Sequence, residues 1–134
     1  MIRLTIPGEP MGKQRPKFGN GRTYTPQKTV NYETLVKELY IMQNCGKQLE
    51  GQIEILVTAV FGPAQSAPKK RLSAMLCRKE RPTKKPDCDN ILKIICDALN
   101  GLAYRDDAQI VSARIDKFYG CEPRVEVEIQ EIGA

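Results

Sequence analysis

The stretch from Lys84 to Ile110, KKPDCDNILKIICDALNGLAYRDDAQI, carries the side chains of this sequence best suited to chemistry. Asp87 and Asp89 stand two residues apart at the start of an amphipathic segment. Lys93 follows one helical turn after Asp89, and Asp106-Asp107 close the stretch. Each acid alone has a structural use. Asp and Asn are favoured helix N-caps, and acids in a first turn complement the helix dipole. Asp89 and Lys93 have the i, i+4 spacing of a routine ion pair, and Asp106-Asp107 could form a turn. Capping needs one residue, however, and here Pro-Asp-x-Asp-Asn stands directly after a basic run. Carboxylates crowded together raise one another's pKa unless a cation sits between them. Mg²⁺ or Mn²⁺ takes oxygen ligands, commonly a few carboxylates with waters and phosphate oxygens. An ion so held activates water and stabilises a leaving oxygen, and a nearby lysine offsets charge growing on phosphate. The chemistry these residues suit is phosphodiester hydrolysis.

Composition narrows the alternatives. Histidine is absent from all 134 residues, which excludes Ser-His and Cys-His nucleophiles and histidine-containing zinc sites. The five cysteines form no Cys-x-x-Cys pair and read as ordinary small apolar side chains in a reducing compartment. The net charge of +5 is segregated. Residues 69–85 hold eight Lys and Arg against Glu80, and residues 7–26 hold Lys13, Arg15, Lys17 and Arg22 against Glu9. The remainder is net acidic. Two basic segments fit a polyanion gripped through its phosphates, with affinity that falls as salt rises.

The elements that must position these groups follow from periodicity and punctuation. Residues 2–6 read as a strand, and Pro7 to Pro26 as a long loop punctuated by Gly and Pro. Thr25-Pro26 and Gly46 bound a helix over about 26–44, with Val30, Leu35, Val36, Leu39 and Met42 as its apolar stripe. Residues 52–61 read as a strand, and 68–80 as a basic helix with Leu72, Met75 and Leu76 facing inward. A third helix follows over 88–100, burying Ile91, Leu92, Ile94, Ile95, Ala98, Leu99 and Leu102 and turning Asp89, Asn90, Lys93, Asp97 and Asn100 outward. Two strands near 108–119 and 124–131 complete the order β-α-β-α-α-β-β. The expected fold is a single α+β domain, 1–134, with helices packed on a mixed or antiparallel sheet. The third helix is about 17 Å long at ~1.5 Å per residue, and the linker 101–106 can extend about 20 Å. Asp107 can therefore return beside Asp87 and Asp89. No run is long and apolar enough for a membrane helix and no signal peptide is recognised, so a cytoplasmic protein is expected.

Lys-Pro-Asp-x-Asp-Asn-x-x-Lys, then Asp97-Ala98-Leu99-Asn100-Gly101, then Asp106-Asp107-x-Gln109-Ile110, closely resembles the RusA-type Holliday-junction resolvases of bacteria and their prophages. Gly8-x-Pro10 followed by Lys13-x-Arg15-Pro16 is also similar to their N-terminal segment. The resemblance implies a homodimeric, Mg²⁺-dependent endonuclease that resolves four-way DNA junctions by paired symmetric nicks. It implies Asp87, Asp89 and Asp107 as metal ligands, Lys93 as the catalytic lysine, and lesser roles for Asp97 and Asp106. Cys88 departs from the aliphatic residue more usual between the two acids. Lys13, Arg15, Lys17, Arg81, Lys84 and Lys85 are the expected DNA contacts. Two other readings remain open on the residues alone: a non-catalytic branched-DNA-binding protein whose acids are caps, and a nuclease for other branched DNA.

Overall fold

A computed structural model describes residues 1–133. Ile2–Pro7 forms β1, whose alternating burial puts Ile2, Leu4 and Ile6 on one face. The long loop contains an element that periodicity did not reveal. Lys17–Gly19 (β2) and Arg22–Tyr24 (β3) form a separate two-stranded hairpin. Its tip is Asn20-Gly21, with φ of 52° and 76°, the left-handed pair that a tight hairpin turn requires.

Helix α1 spans Gln27–Asn44, and its buried face differs from the expected stripe. Thr29, Tyr32, Val36 and Tyr40 point inward, whereas Val30, Leu35 and Met42 are exposed. Apolar residues occur all round this helix, so its partners rather than its periodicity choose the face. Strand β4 is Ile53–Phe61, and helix α2 is Lys69–Leu76, four residues shorter at its C-terminal end than expected. Met75 is its buried anchor, while Leu76 is exposed. Helix α3 (Cys88–Leu99), a single 3₁₀ turn (Asp107–Gln109), β5 (Ile110–Tyr119) and β6 (Arg124–Glu131) follow.

The four long strands make one mixed sheet in the order β1-β6-β4-β5. Strand β4 pairs in parallel with β5, because α2 and α3 supply the crossover that parallel neighbours need. Strand β6 returns antiparallel between β4 and β1. The inward residues of all these strands meet α1 and α3 in one core, to which α3 contributes Ile91, Ile94, Ile95, Ala98 and Leu99 with no exposed surface. That burial fixes the rotation of α3 about its axis. No helix of the described residues is long and apolar enough to cross a membrane.

Candidate active site and nucleic-acid interface

With its apolar stripe sunk in the core, α3 turns Asp89 and Lys93 to solvent and leaves Asp97 half-buried. Asp87 occupies the N-cap position, and Ile91 N–H donates to its carbonyl at 3.0 Å. Its side chain nevertheless makes no capping hydrogen bond. The structural use that sequence offered for this carboxylate is therefore unfilled. Lys93 pairs with Asp97 at 3.6 Å, one turn toward the C-terminus, rather than with Asp89.

Asp97 is a meeting point that the sequence did not reveal. Lys13 Nζ lies 3.2 Å from its carboxylate and 3.0 Å from that of Glu33 on α1. Burial alone would pull the Lys13 pKa down, but hydrogen bonds and attraction from Glu33 and Asp97 outweigh it and hold the ammonium above its ordinary value. Lys13 ties the loop before the hairpin to α1 and α3. The same loop is stitched to α3 by Lys13 N–H donating to the Asn90 carbonyl at 2.9 Å. Gly12 permits the approach, since a Cβ there would stand 2.8 Å from Pro86 Cβ and 3.0 Å from Asn90 Cβ.

At the other end of α3, the buried Tyr104 donates its hydroxyl to the Cys96 carbonyl at 2.7 Å and anchors the turn that carries the second acid pair. Asp106 caps the 3₁₀ turn by accepting from Ala108 N–H at 3.1 Å, in a reciprocal arrangement with Gln109. Asp107 N–H donates to Asn100 Oδ1 at 3.0 Å. A hydrogen bond with Asp106 pushes the Asp107 carboxyl above its ordinary range, helped by slight burial and by repulsion from Asp106 and Asp97, with Lys93 opposing. Asp106 is held low, chiefly by the Ala108 N–H and then by Asp107.

The three carboxylates expected to share an ion are held by two separate parts of the α3 region. Asp87 and Asp89 lie at the start of α3, whereas Asp107 is tethered at its end. No group of three or more Cys, Asp or Glu side chains placed to hold one ion occurs among the described residues. The donor chemistry still suits Mg²⁺ or Mn²⁺. Asp87 and Asp89 are exposed, hard oxygen donors, and such ions usually take one or two carboxylates and complete their shell with water and phosphate.

Beside Asp87 opens a cleft of about 690 Å³ lined by Lys13, Arg15, Lys28, Lys85, Asp87 and Asn90, among others. Its cations come from the N-terminal loop, α1 and the segment before α3, so 3D packing joins the two basic runs. Lys28 was not among the expected contacts, being an unremarkable first-turn lysine in sequence. Lys17 is exposed on β2. Arg81 reaches across to β5. It donates to the Lys117 carbonyl at 2.8 Å and pairs with Asp116 at 3.0 Å, while Arg78 and Arg81 lie 4.2 and 4.3 Å from the Phe118 ring centroid. The Lys84 carbonyl accepts from Lys117 Nζ. These contacts fasten the segment before α3 to β5.

The chain is 36% identical to the uncharacterized protein YqaN of Bacillus subtilis (strain 168), over 99% of its own length and 98% of that protein. The family model for endodeoxyribonuclease RusA matches residues 7–130, from the loop that borders the cleft through α3 to the last strand. The chain belongs to the RusA endodeoxyribonuclease family.

Proposed function

We propose that this protein is a Mg²⁺-dependent endonuclease, bacterial or prophage-encoded, that resolves four-way DNA junctions by paired, symmetric strand cuts, acting as a homodimer in the cytoplasm. The observation that carries the reading is the cleft itself. A wall of Arg15, Lys28 and Lys85 leads to an Asp87 carboxylate that caps nothing, beside the exposed Asp89 and Lys93 of the same helix. Asp87, Asp89 and Asp107 are the carboxylates assigned to the metal, which when bound supplies an activated water and offsets phosphate charge. Arg15, Lys28 and Lys85 hold the phosphate chain against the helix. Lys93 sets its ammonium toward charge that develops on the phosphate, and Asp97 keeps that ammonium aligned along the helix face. Two copies related by a two-fold axis present equivalent sites to a substrate with two strands to cut.

The test uses purified protein, labelled four-way junction DNA and Mg²⁺. Wild type is expected to cut, whereas Asp87→Asn, Asp89→Asn and Asp107→Asn bind and cut at least about a hundredfold more slowly, the scale of losing one charge-stabilising group. Junction binding by wild type without incision would leave a binding protein whose acids are structural. Loss of binding in all three variants would mean that the acids hold the fold.

A further inference from the structure

The hairpin β2–β3 carries an aromatic side chain with no structural work. In its register Phe18 faces Thr23, while Lys17 faces Tyr24 and Gly19 faces Arg22. Alternation therefore sets Phe18 and Thr23 on one side and Lys17, Gly19, Arg22 and Tyr24 on the other. Tyr24 finds a seat. Its ring lies across Gly19, where an added Cβ would come within 3.1 Å of Cε1. Phe18 finds none and is 77% exposed, against 48% for Tyr24. On a hairpin that also carries Lys17 and Arg22, the exposed ring offers a flat apolar face beside cations.

Its surroundings identify the partner. Residues 10–32 hold five cations, Lys13, Arg15, Lys17, Arg22 and Lys28, and no acid. Arg15 and Lys28 bracket the hairpin in sequence and both line the cleft that contains Asp87. Phe18 is three residues beyond Arg15, so it stands within about 11 Å of it at the ~3.3–3.6 Å reach of each residue. That reach is short enough for DNA whose backbone lies in the cleft to offer a base to this ring. A base has a flat apolar face that stacks on an aromatic side chain, and apolar wedges enter base steps that are already weakened.

We propose that Phe18, on the cationic hairpin, stacks on a base exposed at the branch point and so favours junctions over continuous duplex. This rests on the DNA-cleaving reading above and adds to it the means of recognising the branch. Continuous duplex offers the ring no free face without breaking a base step, whereas a branch offers one at lower cost.

The protein contains no tryptophan, so Phe18→Trp installs a single reporter. Its emission is expected to fall on addition of four-way junction and to change little with duplex of equal length. Phe18→Ala should weaken junction binding about tenfold, the scale of one lost base-stacking contact, and leave duplex binding unchanged. A junction that is bound and cut without quenching the tryptophan overturns the stacking role and leaves the nuclease standing. Quenching that tracks protein concentration without DNA assigns Phe18 to a protein contact and also overturns it. Failure to bind either DNA removes the nuclease reading and this one together.

Discussion

The two acid pairs flanking α3 are alike in sequence and unlike in structure. Asp106 does the capping, through Ala108 N–H, and its hydrogen bond to Asp107 lifts the neighbour's pKa. Asp87 sits at a cap position and caps nothing. The acids were legible because α3 sets them out at short, regular spacing. The pairing of Lys13 with Glu33 and Asp97 was not, since these residues meet only after the loop, α1 and α3 have packed. One consequence can be measured by carbon NMR titration of the side-chain carboxyls. Asp106→Asn keeps an effective cap, because Asn serves as well at that position. It removes the acid that raises Asp107, so the Asp107 pKa should fall toward its ordinary value and the group should stay ionised to lower pH. An unchanged Asp107 titration would mean that burial or Asp97, not Asp106, sets it.

At the scale of elements, the sequence marked α3 correctly because a continuous apolar stripe and an opposite polar face agree on one rotation. In α1 no such agreement exists. Its inward face uses Thr29, Tyr32 and Tyr40, whose polar atoms obscure their role, while Val30, Leu35 and Met42 read as core and lie outside. Stability should follow the structure. Tyr40 is fully buried and its hydroxyl donates to the Lys47 carbonyl, so Tyr40→Ala should cost about 3–5 kcal/mol, the range for removing a buried aromatic. Met42 is 77% exposed, and Met42→Lys should change stability by no more than about 0.5 kcal/mol. Urea denaturation distinguishes the two faces, and a large loss from Met42→Lys would put the stripe back in the core. The hairpin escaped notice for a different reason. Asn20-Gly21 is a strong turn signal, but its strands have three residues each and no alternating apolar pattern.

In the whole molecule, strand order is the feature that local sequence least reveals. The α2–α3 crossover makes β5 a parallel neighbour of β4, and β6 then takes the opposite edge of β4, beside β1. This packing brings residues 13–15, Lys28 and Lys85 round one cleft, although they belong to separate parts of the chain. The segregated charge was visible beforehand; which cations share a surface was not. Arg81 is fastened to β5, and Lys13 is neutralised by two acids, so neither should dominate the grip on DNA. Arg15, Lys28 and Lys85 should. Each phosphate contact releases counterions, so replacing one such cation with alanine should reduce the slope of log affinity against log salt by about 1. Lys13→Met should leave that slope nearly unchanged, because its ammonium already faces Glu33 and Asp97. Junction binding measured across a salt series decides between these cations. If Lys13→Met flattened the slope while Arg15→Ala, Lys28→Ala and Lys85→Ala did not, the phosphate chain would run elsewhere on the surface, and the cleft beside Asp87 would not be where DNA lies.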